Sequence, residues 1–313
     1  NHEDWLTDKN HWRAYPDYLY RNNGDDTFAV VWASPHKKQY CGRGVNFADF
    51  DYDGDQDAYI SNYRLMPNVL WINDGNGNFT DEAEARGVAG DADGPDSPAV
   101  PGSPPFKCHG HTIGSCWGDV NNDGYFDLFA GNFAHPWGDQ PHSKFLRNLG
   151  PDGHYKFEDK GEGGVHYQES YATPSTGDYD NDGNLDVLFT TVYGTAPFGR
   201  QNSPVLFRNN WQFAVTNVSA AAGVAGLPPT YQSAWADYNN DGSLDLISGG
   251  KLFRNTVSDQ GWVEIHLQGD GVQVNRSAIG AQVRIKIGDK TYTRQVEAGT
   301  GEGNQNQLRL HFG

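Results

Sequence analysis

Basic residues are scarce: 23 Lys and Arg stand against 40 Asp and Glu in 313 residues, a formal charge of −17. Phosphate backbones are held by basic patches, so nucleic acid is not an expected partner. No stretch of about 20 apolar residues occurs, which excludes a helical membrane span. The chain opens on Asn1 without a recognisable leader, and removal of a leader is the expectation. Methionine occurs once, as Met66, and cysteine three times. Cys108 and Cys116, eight apart, are the candidate disulfide; Cys41 with either, or three buried thiols, are the alternatives. A Gly-x-Ser-x-Gly elbow, a phosphate loop and a spaced pair of catalytic carboxylates are all missing, so enzymatic activity is not expected.

Acidic loops are abundant. The pattern Asp-x-Asp/Asn-x-Asp-Gly-x-x-Asp starts at Asp49, Asp119, Asp178 and Asp237. It places oxygens at relative positions 1, 3, 5 and 9. The sets are Asp49, Asp51, Asp53 and Asp57; Asp119, Asn121, Asp123 and Asp127; Asp178, Asp180, Asp182 and Asp186; and Asp237, Asn239, Asp241 and Asp245. Position 7 (Asp55, Tyr125, Asn184, Ser243) would add a backbone carbonyl, which leaves its side chain free to vary. Calcium takes six to eight oxygens at about 2.3–2.6 Å, which such a loop can supply. Glycine at position 6 permits the sharp turn. Asp, Asn and Gly also mark ordinary turns, but four repeats of one spacing favour about four calcium ions. Without metal these clusters repel, so stability should depend on calcium.

An EF-hand needs Glu at position 12, where this chain has Ile60, Ala130, Phe189 and Ser248. Short apolar and β-branched runs follow each loop instead, as in Val187-Leu188-Phe189-Thr190, and these read as strands. A second pattern, two apolar residues, one variable residue and Asn, recurs at 19–22, 70–73, 145–148, 206–209 and 252–255. Phe28, Phe79, Phe157 and Phe213 follow the first four, and Gly-Val pairs stand at 87–88, 164–165 and 223–224. Repeats of about 60 residues with several short strands each indicate propeller blades that must stack. The fourth unit has no Phe strand after Asn255, and the first hairpin has no acidic loop ahead of it. Incomplete units expose strand edges, which close in cis or accept a strand from a neighbouring molecule.

These units resemble FG-GAP/VCBS-type β-propeller repeats. The C-terminal stretches 275–283, 296–301 and 311–313 resemble the ASPIC/UnbV domain. The pairing is similar to cartilage acidic protein-like chains. The expected fold is therefore all-β: a calcium-binding β-propeller of four to five blades or partial blades, then a small β-sandwich-like domain. The boundaries are 1–17 for an N-terminal tail and possible donor segment, 18–258 for the propeller and 259–313 for the C-terminal domain. Arg276, Arg284, Lys286, Lys290, Arg294 and Arg309 concentrate base in that last domain. They are a solvated strand face or a contact with acidic partners, within or between molecules.

Asn78, Asn217 and Asn275 begin Asn-x-Ser/Thr triplets and are glycosylation candidates. With the calcium loops they point to an extracellular or cell-surface location. His109 and His111 have a spacing that binds zinc or copper, but a third ligand cannot be chosen, and structural histidines are the commoner outcome. The expected function is a secreted structural or adhesion protein, self-assembling into a glycosylated fibre by strand donation. Its partners would be further copies, glycans or extracellular matrix. The alternative is a carbohydrate-binding propeller or metal-dependent lyase with a pocket near His109, His111 and Trp117.

Overall fold

The computed structural model describes residues 16–35, 40–63, 65–91, 109–133, 141–166, 168, 170–195, 202–257 and 260–313. Most of the tail, with Trp5, Trp12 and Tyr15, lies outside them, as do residues 92–108 and His135.

The chain is all-β. It opens with a hairpin of β1 (Tyr18–Asn22) and β2 (Phe28–Ala33). Sheet 1 follows, formed by β3 (Gly42–Ala48), β4 (Asp57–Asn62), β5 (Val69–Asn73) and β6 (Phe79–Asp81). After the short helix α1 (Ala83–Arg86), sheet 2 comprises β7 (Thr112–Gly118), β8 (Asp127–Asn132), β9 (Lys144–Asn148) and β10 (Phe157–Asp159). Sheet 3 comprises β11 (Tyr171–Gly177), β12 (Asp186–Thr191), β13 (Val205–Asn209) and β14 (Val215–Asn217). Sheet 4 has β15 (Ser233–Ala236), β16 (Asp245–Ser248) and β17 (Lys251–Phe253), and no fourth strand beyond β17 among the described residues. Each sheet is an antiparallel meander, with its acidic loop joining the first strand to the second.

Successive sheets pack face to face. Tyr59 and Leu70 of sheet 1 share a core with Trp117, Leu128, Leu146 and Phe157 of sheet 2. Phe129 and Phe145 of sheet 2 join Val187, Phe189, Phe207 and Phe213 of sheet 3. Leu188 and Leu206 of sheet 3 join Trp235, Leu246 and Phe253 of sheet 4. The opening hairpin lays Trp32 on Trp71 and Phe79.

The first strands run alongside one another and carry small residues where backbones meet. A Cβ added at Gly44 would stand 3.0 Å from the carbonyl oxygen of Ile113, and one at Gly114 3.0 Å from that of Ala172. The Gly-Val pairs end the turn after each outer strand. Gly87 takes the left-handed conformation (φ 84°), and Val88 then drops into the core.

The C-terminal segment contains β18 (Val263–Ile265), β19 (Gln282–Ile287), β20 (Lys290–Gln295) and β21 (Leu310–Phe312). The expected small sandwich takes the form of two strand pairs, β18 with β21 and β19 with β20. They enclose a small core of Val296, Leu310, Phe312, Val283 and Ile285.

Candidate functional site

All four acidic loops adopt one backbone form. Position 6 is left-handed in each, with φ of 100°, 98°, 87° and 84° at Gly54, Gly124, Gly183 and Gly242. The position-5 carboxylate accepts the amide of position 7: Asp53 from Asp55 at 2.9 Å, Asp123 from Tyr125 at 3.1 Å, Asp182 from Asn184 at 2.9 Å and Asp241 from Ser243 at 3.2 Å. In loops 2 to 4 the first Asp accepts amides at positions 5 and 6, as Asp178 does from Asp182 and Gly183.

Position 9 is a hub. Asp57, Asp127, Asp186 and Asp245 accept the backbone amides of Asn73, Asn148, Asn209 and Asn255 at 2.7–2.9 Å. The recurring hairpin Asn thus locks onto its own sheet's loop. Its side chain also donates across to the preceding sheet: Asn148 to the Phe50 carbonyl, Asn209 to that of Val120 and Asn255 to that of Tyr179. Asn73, facing only the opening hairpin, turns to Gln56 of its own loop at 3.4 Å.

The loops differ in how their carboxylates are compensated. Ligand atoms of Asp49, Asp51 and Asp53 lie within 4.8 Å of one another, as do those of Asp178, Asp180 and Asp186. Four buried carboxylate oxygens in these two loops have no hydrogen-bond partner: Asp49 Oδ1, Asp51 Oδ1, Asp57 Oδ2 and Asp180 Oδ1. In loops 2 and 4 the Asn at position 3 donates to the Asp at position 5, Asn121 to Asp123 and Asn239 to Asp241, both at 2.8 Å. The variable residue of the hairpin pattern adds a cation that sequence reading missed. Arg147 reaches Asp123, Arg208 bridges Asp180 and Asp182, and Arg254 reaches Asp241. Ile72 takes that place in the first repeat, where Arg86 approaches Asp51 at 3.6 Å.

Burial works against the negative charge. It pushes Asp57 up to about 8, with Asp51, Asp53 and Asp49 adding repulsion. It pushes Asp119 up to about 7 and Asp178 to about 6, although Arg294 pulls both down. Asp127 and Asp186 lie well above the carboxylate range for the same reason. Buried carboxylate oxygens without donors, clustered with further acids, have the chemistry of a hard-cation site. Loops 1 and 3 fit such an ion best.

The C-terminal segment lies across all four loops. Gln282 donates to the Asp49 carbonyl, and Gln295 accepts the Asp49 amide. Thr293 donates its amide to Asp119 Oδ2 and its hydroxyl to the Gly124 carbonyl, both at 3.0 Å. Gly313 donates its amide to Asp178 Oδ2 at 3.0 Å. Arg309 binds the Asp237 carbonyl, Gln307 accepts the Asp237 amide, and His311 meets the Gly242 carbonyl. Arg294 is buried, which pulls its pKa down against the raising effect of Asp178 and Asp119, and it donates to the Thr293 and Gly183 carbonyls. Of the two readings for the basic C-terminal residues, the contact within the chain is therefore present for Arg294 and Arg309. Arg284 and Lys290 also contact the repeat region, over the Tyr52 and Trp211 rings.

Three expectations need correction or fall outside the described residues. Cys116 is a free thiol, 1% exposed in the core beside Phe129 and Tyr171, so the Cys108–Cys116 bridge is not formed. Cys108 lies outside the described residues. His109 and His111 are both buried, and the groups of three or more candidate ligands among the described residues do not include them. Trp117 instead lines a cavity of about 80 Å³ with Trp235, Arg294, Glu297 and His311, away from both histidines. Asn78, Asn217 and Asn275 are exposed.

Residues 119–189 match the FG-GAP-like repeat family, and residues 271–313 match the family described as ASPIC and UnbV. Sheets 2 and 3 thus carry a segment similar to the FG-GAP-like repeat, and the C-terminal cap one similar to ASPIC and UnbV. The chain is homologous to cartilage acidic protein 1, at 25% identity with the mouse protein over 83% of this chain and 24% with the human protein over 82%. It spans about two fifths of those relatives, 39% and 38% of their lengths. A structure titled for recognition of non-reducing terminal N-acetylglucosamine by an Agrocybe aegerita lectin aligns over 91% of this chain and 77% of that chain. The identity is 14% and the TM-score 0.39.

Proposed function

We propose that this chain is a calcium-clamped β-propeller, residues 18–258, capped by an ASPIC/UnbV-like unit, residues 259–313, and that it serves as a structural or adhesion protein outside the cell. The observation that carries the reading is the set of four buried, partnerless carboxylate oxygens in loops 1 and 3. Asp49, Asp51, Asp53 and Asp57 would hold one ion and Asp178, Asp180, Asp182 and Asp186 a second, with the Asp55 and Asn184 carbonyls contributing. Asp119, Asn121, Asp123, Asp127 and the Tyr125 carbonyl would bind more weakly. So would Asp237, Asn239, Asp241, Asp245 and the Ser243 carbonyl. When bound, calcium supplies positive charge that neutralises the clustered acids and fixes the loops; no reaction is assigned to it.

The structural role rests on similarity to cartilage acidic protein 1. Location outside the cell rests on the exposed triplets at Asn78, Asn217 and Asn275. Self-assembly by strand donation is supported by β17, which has no partner on its outer side among the described residues. Beside it lies a hollow of about 510 Å³ lined by Leu206, Val224 and Phe253, in the place that Phe213 fills one joint earlier. No helix among the described residues is long and apolar enough to cross a membrane.

Thermal melting with calcium and after exhaustive chelation tests the proposal. Two sites at 100-fold excess over Kd add about 5 kcal/mol, hence about 10 °C in Tm. Two to four calcium ions per chain should appear by elemental analysis. An unchanged melting curve with no bound metal would overturn the reading.

A further inference from the structure

The three internal joints between sheets share one construction. The trailing face of each sheet presents the second residue after its position-9 Asp and the first apolar residue of its hairpin pattern. These are Tyr59 and Leu70, Phe129 and Phe145, and Leu188 and Leu206, all 2% exposed or less. The leading face of the next sheet presents the second apolar residue of its pattern, Leu146, Phe207 or Phe253, joined in the first two by Phe157 of the fourth strand or by Phe213 of the turn before it.

Both half-joints occur once more, uncovered, at opposite ends of the array. In sheet 4 the trailing-face positions hold Ile247 and Leu252, which pair across β16 and β17 and are 50% and 54% exposed. In the opening hairpin the leading-face positions hold Tyr20 and Phe28, 55% and 63% exposed. Tyr18 and Val30 share that face and are also exposed. The opposite face of the hairpin is occupied, with Trp32 packed on Trp71. Monomers rarely leave apolar faces of this kind open without an interaction to make.

We propose that the Ile247–Leu252 face of one copy stacks on the Tyr20–Phe28 face of the next, rebuilding the internal joint between molecules. The occupant is a second copy because the open faces are the two unlike halves of a joint already built three times within the chain. The ends do not meet within one molecule, since both faces are exposed in the same structure. Unlike halves make a head-to-tail contact, which propagates into an open assembly rather than a two-fold dimer. This inference rests on the self-assembling structural role above and replaces a donated strand by a stacked face as the principal contact.

Sedimentation velocity on the calcium-loaded full chain tests it, with two surface variants. Ile247→Lys/Leu252→Lys removes one half, and Tyr20→Lys/Phe28→Lys removes the other. These residues are exposed, so both variants should keep the native circular dichroism and melting temperature. The native chain should associate as concentration rises, while each variant alone should need at least about tenfold more protein to associate. An equimolar mixture of the two retains one good pair of faces and should give a heterodimer that grows no further. If the native chain assembles and either variant still polymerises, the stacked face is wrong while self-assembly stands. Assembly by the native chain with no heterodimer in the mixture likewise overturns the stacked face and leaves self-assembly standing. A native chain that remains monomeric at all concentrations overturns both the stacking and the self-assembling role, and leaves the calcium-dependent fold to its own test.

Discussion

At the residue scale, the acidic positions were legible in the sequence because their chemistry is local. Spacing pointed to the left-handed glycine of all four loops and to the two groups that converge, Asp49 with Asp51 and Asp53, and Asp178 with Asp180 and Asp186. What spacing could not reveal was the second task of the position-9 Asp, whose hydrogen bond to the hairpin Asn depends on the fold bringing the two together. Glu297 was likewise invisible. It lines the cavity beneath the C-terminal segment, and burial pushes its carboxyl from 4.5 up to about 7. Folding therefore favours the protonated form. That contribution is complete below pH 4.5 and is lost as pH rises through 7. Glu297→Gln, which cannot ionise, should be more stable than the native chain above pH 7, by at most about 3 kcal/mol. The gap should close near pH ~4. Denaturant midpoints across that range check it, and parallel pH profiles would refute it.

At the level of elements, the strands after each loop were recognisable from their apolar and β-branched runs, but the strands before them were not. β7 (Thr-Ile-Gly-Ser-Cys-Trp-Gly) and β11 (Tyr-Ala-Thr-Pro-Ser-Thr-Gly) read as loop by composition. Their small residues are required because neighbouring first strands approach to backbone contact, a constraint set by tertiary packing rather than propensity. The hairpin Asn was visible as a repeat, and the structure supplies its reason as a tie between sheets. Asn148 has no exposed surface, and its side-chain nitrogen reaches the carbonyls of Phe50 and Phe126 at 3.0 and 3.2 Å. Asn148→Ala strands both buried acceptors and should cost about 2–4 kcal/mol. Asn73→Ala loses one long bond to Gln56 and an exposed bond from the Gly75 amide, both local, and should cost about 1 kcal/mol or less. Urea unfolding of the two variants separates an inter-sheet tie from a local turn; equal losses would remove the distinction.

For the whole molecule, the C-terminal segment behaves as a cap over four charged loops rather than as an independent appendage. Sequence periodicity identified its strands and its basic residues. It did not indicate that Gln282, Thr293, Gln307 and Gly313 would each meet a different loop, because ordinary polar residues carry no local mark of a distant partner. Thr293 and Gly313 bond the first Asp of loops 2 and 3, and Thr291 donates its amide to Asn122. Loop order and cap docking are therefore expected to change together. Where acids lose a bound cation, like-charge repulsion opens the loop, and the donors resting on it lose their acceptors. Hydrogen exchange after chelation should show amides of residues 119–127 and 291–293 losing protection together, at the same chelator concentration. Amides of β12 and β13, whose side chains lie in the sheet-to-sheet cores, should remain slow. A cap that keeps its protection while the loops exchange freely would show that the two are uncoupled. Arg294, placed between Asp119 and Asp178, would then suffice to hold the cap without the metal.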